Sequence, residues 1–205
     1  MTYTVKEIFL TAQGEGANIG RTAVFVRFAG CNLWSGREED RAEAVCRFCD
    51  TEFVGGARYA TADELADAAA ALWPEGAAHR MTVLTGGEPL LQVDDALLDA
   101  LRTRRFMVAV ETNGTQPLPG RVDWLRVSPK AGVPLVLSQA DELKLVYPQP
   151  DAPPEMFAGF AATHRWLSPM DSPARAENTR AAAAYCLAHP EWRLAIQAHK
   201  TRGIP

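Results

Sequence analysis

Three cysteines near the N-terminus have a spacing typical of a metal or cluster site. Cys31, Cys46 and Cys49 form the pattern C-x14-C-x2-C. Thiolates are soft ligands that suit zinc or an iron–sulfur cluster, and a 4Fe-4S cube is normally held by four cysteines. Three cysteines would leave one iron with an open position, whereas a zinc site would need a fourth ligand such as a histidine or Asp50. The spacing by itself favours neither site.

The fourth cysteine, Cys186, lies beside Tyr185 and Leu187 in an alanine-rich segment. A small buried thiol is the commoner reason for a cysteine in such a segment, so we expect Cys186 in the core rather than at the metal site. Four cysteines in 205 residues are too few for a disulfide scaffold. This low number also favours a metal or redox role for the other three.

A glycine-rich turn provides the second chemical signal. The segment from Thr85 to Pro89 reads TGGEP and follows a predicted strand. A glycine pair lets the backbone approach a ligand closely, and the carboxylate of Glu88 can accept hydrogen bonds from an ammonium group. Taken alone, this segment is equally typical of an ordinary tight turn. Together with three cysteines that follow an early strand, it indicates a cofactor site.

The elements that must position these residues follow the alternating pattern of a parallel α/β sheet. We predict three helices: one that begins at the capping sequence 61–64, one over 94–105 and one over 174–188. The proline-rich segment 148–154 predicts a loop. Strands are predicted over residues 5–10, 23–28, 81–84, 106–110, 124–127, 143–147, 164–167 and 192–196.

Polar residues follow four of these strands directly. The segments are TGGE from Thr85, ETNG from Glu111, SPK from Ser128 and SPMD from Ser168. In parallel α/β barrels and sheets the active site lies at the carboxyl edge of the strands. We therefore expect these four segments to meet at one site.

The composition is that of an ordinary globular protein. The chain has 205 residues, of which 47% are hydrophobic and 22% charged, with a net charge of −4. This predicts a single domain, 1–205, and disfavours both disorder and a nucleic-acid partner. No apolar run approaches the roughly 18 residues of a membrane span, and no secretory signal is visible at the N-terminus. We therefore expect no membrane association and a cytoplasmic location.

The cysteines and the GGEP segment together resemble the radical S-adenosylmethionine (SAM) superfamily, whose pattern is C-x3-C-x2-C followed by a GGEP-like strand end. This resemblance implies a partial, reduced (β/α)6 TIM-like barrel. The chain departs from the pattern in the first interval, where residues 32–45 form an insert. The insert is rich in charged residues, so we expect a solvated excursion that leaves the ligand geometry intact.

Over essentially the whole chain, the sequence resembles more closely the 7-carboxy-7-deazaguanine synthase family. The resemblance is carried by segments 7–16, 25–31, 46–51, 84–89, 111–114 and 128–130. It implies a lyase of queuosine and 7-deazapurine biosynthesis that converts 6-carboxy-5,6,7,8-tetrahydropterin to 7-carboxy-7-deazaguanine. In the implied reaction a 5'-deoxyadenosyl radical abstracts hydrogen from C6, the ring contracts and ammonia is lost. A homodimer and a reducing electron donor such as flavodoxin are also implied.

The same resemblance implies the ligands of each group. It places a 4Fe-4S cluster on Cys31, Cys46 and Cys49, and Mg2+ at Thr51. It assigns the substrate to Ala12, Gln13, Gly14, Glu15, Arg27, Thr85 and the terminal carboxylate of Pro205. It assigns SAM to Phe48, Cys49, Asp50, Gly87, Glu88, Ser128, Pro129, Lys130, Ser168, Pro169, Met170 and Asp171, with Gln197 and His199 as weaker candidates.

Two other functions remain open on the residues alone. An activating enzyme for a glycyl-radical protein would keep the cysteines and the GGEP segment, but it would lack the TxQGEG sequence that begins at Thr11 and the CDT ending at Thr51. A zinc-stabilised binding module would be colourless and would unfold when its metal is removed.

Overall fold

The protein is described by a computed structural model that covers residues 2–198 and Gly203. His199 and Pro205, both candidate site residues, lie outside the described residues. The strands are β1 (Tyr3–Ala12), β2 (Thr22–Phe28), β3 (Ala57–Tyr59), β4 (Met81–Gly86), β5 (Met107–Thr112), β6 (Trp124–Val127), β7 (Gln139–Tyr147), β8 (Ala161–Pro169) and β9 (Trp192–Leu194). The helices are α1 (Ala62–Ala71), α2 (Asp95–Thr103) and α3 (Arg175–Ala188).

The nine strands of the described residues belong to one sheet with the order β3-β1-β2-β4-β5-β6-β7-β8-β9. Neighbours from β2 to β9 are parallel, whereas β1 is antiparallel to both β2 and β3. The sheet is not closed by strand pairing, because β3 and β9 are its two ends. It nevertheless curves, since the amide of Ala198 after β9 donates to the carbonyl of Gly14 after β1. The predicted partial barrel is therefore confirmed.

Alternate residues of each strand face opposite sides of the sheet, as the period of two requires. One face carries the large aliphatic residues, such as Val26, Val110 and Leu145, and packs against the helices in the main core. The other face lines the inside of the curve. Its floor is a smaller apolar cluster that comprises Ala23, Met81, Val83 and Ala109, with Phe25 and Trp124 packed against it.

The helices have the predicted start signals. Thr61 accepts a hydrogen bond from the amide of Glu64 at 3.1 Å, and Asp94 accepts one from the amide of Leu97 at 3.0 Å. α1 therefore begins at the predicted capping sequence, and Asp94, predicted as the first residue of the second helix, is the N-cap of α2. None of the described helices is long and apolar enough to cross a membrane.

The barrel is reduced because several crossovers lack helices. Between β5 and β6 and between β6 and β7 the described chain has no α-helix, and β7 is followed by only a 3-10 turn at Pro154–Phe157. The eight predicted strands are all present. The short edge strand β3 was missed, because three residues without an apolar run give no strand signal.

The charged part of the insert 32–45 is solvated as predicted, because no residue of its 3-10 turn Glu38–Glu43 is buried, but Leu33, Trp34 and Ala44 near its two ends are packed. Trp34 is buried and packs edge-on against Phe53, with ring centroids 5.6 Å apart. The guanidinium of Arg41 lies 4.1 Å from the Trp34 ring centroid and donates to the carbonyls of Arg47 and Cys49. Trp34 and Arg41 therefore attach the insert to the cysteine loop, while its other charged residues face solvent.

Candidate active site

The three cysteines meet at one cavity at the carboxyl edge of the sheet. Cys31 follows β2, while Cys46 and Cys49 lie in the loop before β3, and all three line the same cavity. The thiol of Cys46 donates to the sulfur of Cys49, which lowers the pKa of Cys49 to about 6 and raises the pKa of Cys46. Burial raises the pKa of Cys31. Cys186 lies on α3, packed against the main core as expected.

This donor set fits an iron–sulfur cluster. Three soft thiols converge on one cavity, and among the described residues no three histidine, cysteine or acidic side chains are close enough to hold a single metal ion. A cluster is larger than an ion, so its ligands lie farther apart. Cys31, Cys46 and Cys49 would hold it with one iron open to another ligand.

The glycine-rich turn after β4 lies directly against the cysteine loop. A Cβ at Gly87 would overlap the carbonyl of Gly30 and lie 2.9 Å from the Cβ of Cys31. The amide of Glu88 donates to the carbonyl of Gly30 at 2.9 Å. Only glycine permits this approach to the backbone of Gly30, and the approach to a ligand expected of the glycine pair stays a prediction.

The carboxylate of Glu88 has a different position from the one predicted. It is fully buried and does not line the cavity. It accepts hydrogen bonds from Thr112 Oγ1 at 2.6 Å, from the amide of Asn113 at 2.7 Å and from the amide of Leu90 at 3.0 Å. Burial raises the pKa of Glu88, and these donors oppose that effect. Glu88 therefore joins the ends of β4 and β5, and its side chain is not available to an ammonium group.

Most of the other residues assigned to SAM line the cysteine cavity. Lys130 is held there by Ser128, since its Nζ donates to the Ser128 carbonyl at 2.6 Å and to Oγ at 2.9 Å. Burial lowers the pKa of Lys130, and the nearby Cys46 opposes this effect. Pro129 and Met170 do not line this cavity. Those that do are Phe48, Cys49, Asp50, Gly87, Ser128, Lys130, Ser168, Pro169 and Asp171.

A second cavity adjoins the first and contains the predicted substrate residues. Ala12, Gln13, Gly14, Glu15, Arg27 and Thr85 all line it. Residues shared by both cavities are Asp50, Thr51, Thr85, Glu111, Arg126, Lys144 and Gln197. The two spaces therefore open onto each other, with Thr51 and Thr85 at the boundary.

Arg27 is oriented for anion recognition at the rim of the second cavity. Its Nε donates to Glu7 Oε1 at 2.6 Å, and its guanidinium carbon lies 5.8 Å from the Phe9 ring centroid. This ion pair uses Nε, so Glu7 restrains the guanidinium and leaves its two terminal nitrogens for another partner. A carboxylate is the ligand that this fork pairs with best.

Sequence reasoning missed the charged residues on the wall between the cavities. Arg126 Nη1 donates to Glu111 Oε1 at 2.6 Å, and Lys144 Nζ donates to Glu15 Oε2 at 2.6 Å. Gln13 also donates to Glu111 Oε1, at 2.9 Å. The available signal was a single charge inside an otherwise apolar strand, as in Leu125-Arg126-Val127, because such a charge must face an interior partner.

The buried Glu15 predicts a pH-dependent stability. Burial alone would raise its pKa, but Lys144 and Arg126 lower it from 4.5 to about 2. A carboxylate with a lowered pKa stabilises the fold above the unfolded-state pKa and loses that contribution as pH falls through the folded-state pKa. We expect Glu15→Gln to destabilise the cluster-free protein at neutral pH by roughly 3 kcal/mol. The difference should shrink between about pH 4.5 and about pH 2.

Urea unfolding over a pH series measures this effect. Glu52→Gln is the matched control, because Glu52 also pairs with a lysine, Lys6 at 2.5 Å, but is exposed. We expect little change in the free energy of unfolding for the control. A Glu15→Gln effect that stayed constant across this pH range would contradict the prediction.

Comparisons with known proteins agree with this geometry. The Radical SAM superfamily profile matches residues 41–142. The chain is 61% identical to a 7-carboxy-7-deazaguanine synthase of Bradyrhizobium diazoefficiens and 59% identical to one of Bordetella pertussis, with 100% of each chain covered. The crystal structure of QueE from Escherichia coli superposes with a TM-score of 0.73 at 26% identity and covers 97% of this chain and 95% of that one. The chain belongs to the 7-carboxy-7-deazaguanine synthase family of radical SAM enzymes.

Proposed function

We propose that this protein converts 6-carboxy-5,6,7,8-tetrahydropterin to 7-carboxy-7-deazaguanine with loss of ammonia. The observation that carries the proposal is the pair of adjoining cavities, one lined by the three cysteines and the other by the QGE segment and Arg27. Because the two cavities share lining residues, a radical generated in the first would lie next to a substrate in the second. The family membership supports the same reaction.

The cluster and SAM, when bound, supply a 5'-deoxyadenosyl radical, and the protein's residues bind, orient and shield the reactants. Cys31, Cys46 and Cys49 would hold the cluster. The neighbouring turn contributes Gly87, which lines this cavity and whose missing side chain lets the turn pack against the cysteine loop. Ser128 and Lys130 would contact SAM from the end of β6, with Ser168 and Asp171 at the end of β8.

The second cavity would hold the pterin with its carboxylate at Arg27. Gln13 and Glu15 come from the loop after β1 and offer an amide and a carboxylate, which are the partners that a pterin's amino and ring N–H groups require. Gln13 and Glu15 are buried, and this part of the loop would help to keep water and other hydrogen donors away from the radical path. Pro205 stays a proposed further substrate contact.

Mg2+ would bind at the boundary of the two cavities, which Thr51 lines. The Thr51 hydroxyl would supply one oxygen ligand, and the substrate carboxylate would supply a second. We expect Thr51→Val to raise the Mg2+ concentration for half-maximal product formation on the order of tenfold. Product formation over an Mg2+ titration measures this effect.

Thr163→Val is the control for the Mg2+ titration, because Thr163 on β8 lines neither cavity. It should leave the Mg2+ dependence unchanged. An unaltered dependence in Thr51→Val would remove Thr51 from the proposed magnesium site.

The direct test of function is an anaerobic assay of reconstituted, chemically reduced protein with SAM, Mg2+ and the carboxypterin. Mass spectrometry follows 5'-deoxyadenosine and the deazaguanine product together. We expect both products. Formation of 5'-deoxyadenosine alone would keep the radical chemistry and contradict the substrate, while absence of both from protein with a verified cluster would contradict the proposal.

We also propose that the enzyme works as a homodimer in the cytoplasm and takes its electron from a small reducing protein such as flavodoxin. Sedimentation of the purified chain tests the dimer. Replacement of the chemical reductant by reduced flavodoxin in the same assay tests the donor.

A further inference from the structure

A buried ion pair lies directly beneath the loop that is proposed to bind the pterin. We call residues 13–21, between β1 and β2, the pterin loop. Arg126 on β6 is 3% exposed and Glu142 on β7 is 0% exposed, and their Nε and Oε2 atoms are 3.4 Å apart. Glu142 also accepts from Trp124 Nε1 at 2.6 Å, which places the pair on the apolar floor of the barrel.

Both members of the pair bind the loop backbone. Arg126 Nη2 donates to the carbonyl of Glu15 at 2.9 Å, and Glu142 Oε2 accepts from the amide of Ala17 at 3.3 Å. Gly16 lies between these contacts with φ +73°, and a Cβ there would overlap Arg126 Nη2 and Glu142 Oε2. The loop backbone therefore lies in direct contact with the two charged groups.

The ion pair also connects the loop to the wall between the cavities. Arg126 Nη1 donates to Glu111 Oε1, and the same oxygen accepts from Gln13 Nε2. The guanidinium of Arg126 is thus connected to the side chain of Gln13 through Glu111, and it binds the carbonyl of Glu15 directly. A buried ion pair is weak evidence for stability, because an apolar pair of similar volume often stabilises a fold equally well. Its bonds to one functional loop indicate a positioning role.

We propose that Arg126 and Glu142 are positioning residues that hold the backbone of the pterin loop in the place from which its side chains recognise the substrate. Residue 16 must then be glycine because the loop rests on this ion pair. The inference rests on the proposed function for the identity of the substrate. The placement of the loop itself can be measured in the ligand-free protein.

The loop contains a matched pair of glycines for the first test. Gly20 has φ +83°, close to that of Gly16, but a Cβ there would meet nothing within 4 Å. Alanine introduces similar backbone strain at both positions, so the difference between Gly16→Ala and Gly20→Ala reports the contact with the ion pair. We expect Gly16→Ala to raise the KM for the pterin on the order of 10-fold to 100-fold. Gly20→Ala should change it far less, and the KM for SAM should change little in both.

The second test uses Glu142→Gln, which keeps the size of the side chain and removes its charge. Amide hydrogen exchange of the ligand-free protein is the readout, because Ala17 donates directly to Glu142. We expect faster exchange at Ala17 and a higher KM for the pterin, while exchange in the core strand β5 stays unchanged. This measurement stands even if Gly16→Ala fails to fold.

The outcomes separate this proposal from the proposed function. Equal effects of the two glycine variants, or unchanged exchange at Ala17 in Glu142→Gln, would overturn the positioning role. A loss of protection across the whole protein in Glu142→Gln would also overturn it, since the pair would then be a general stabiliser. If the unmodified enzyme made no deazaguanine, the proposed substrate would fail while the exchange result still decided the loop contact.

Discussion

Serine at any one of Cys31, Cys46 or Cys49 is expected to abolish both 5'-deoxyadenosine and deazaguanine formation. The three thiols line one cavity, and a hydroxyl is a poor ligand for an iron–sulfur cluster, so the loss of one leaves the cluster incompletely held. We expect each variant to fold, because the insert packs on the loop through Trp34 and Phe53 rather than through the thiols alone. Iron and sulfide content, with the visible charge-transfer absorption, measures cluster loading.

Cys186→Ser is the matched control for these variants. Cys186 is the remaining cysteine of the chain and lies on α3, outside the cysteine cavity. It should load a full cluster and keep its activity. Retention of a full cluster and of activity in Cys49→Ser would contradict the ligand assignment, and equal losses in Cys186→Ser would show that serine acts through folding.

Arg27→Lys is expected to raise the KM for the carboxypterin on the order of 100-fold. Glu7 holds Nε of Arg27 and leaves two terminal nitrogens to pair with a carboxylate, whereas a lysine offers one point charge. Because Arg27 lines only the second cavity, we expect the abortive cleavage of SAM without pterin to continue. Steady-state kinetics with the pterin and SAM varied in turn measures whether only the KM for the pterin rises.

Arg21→Lys is the control for position and charge. Arg21 lies at the end of the pterin loop, donates to Asn18 Oδ1 at 2.8 Å and lines neither cavity. Its KM for the pterin should stay close to that of the unmodified enzyme. A similar change in the two variants would mean that general charge, and not a bidentate contact at Arg27, governs binding.

Local patterns in the sequence were enough to predict the elements and the edge at which the site lies. α1 begins at the predicted capping residue Thr61, because a cap depends on side chains and amides only a few residues apart. The polar segments that follow Thr85 and Ser128 meet because parallel strands end at the same edge of a sheet. The spacing of the three cysteines and the neighbouring motifs were therefore sufficient to predict that the cysteines line one cavity.

The role of individual charges was decided only by the tertiary structure. Glu88 has the motif position of a cofactor contact, yet its carboxylate is used by Thr112 and Asn113 of the neighbouring strand. The charged residues of the insert are exposed as predicted, but the packing of Trp34 against Phe53 across the loop was visible only in the tertiary structure.

The sequence by itself determined the three helices, every described strand except β3, the meeting of the three cysteines and the family to which the chain belongs. It did not indicate that Arg126 and Glu142 would pair beneath Gly16, because both residues lie more than a hundred positions from Gly16 along the chain. Whether a charge is exposed, paired or buried depends on which strands become neighbours and on the curvature of the sheet. That information exists only after the distant segments have packed together.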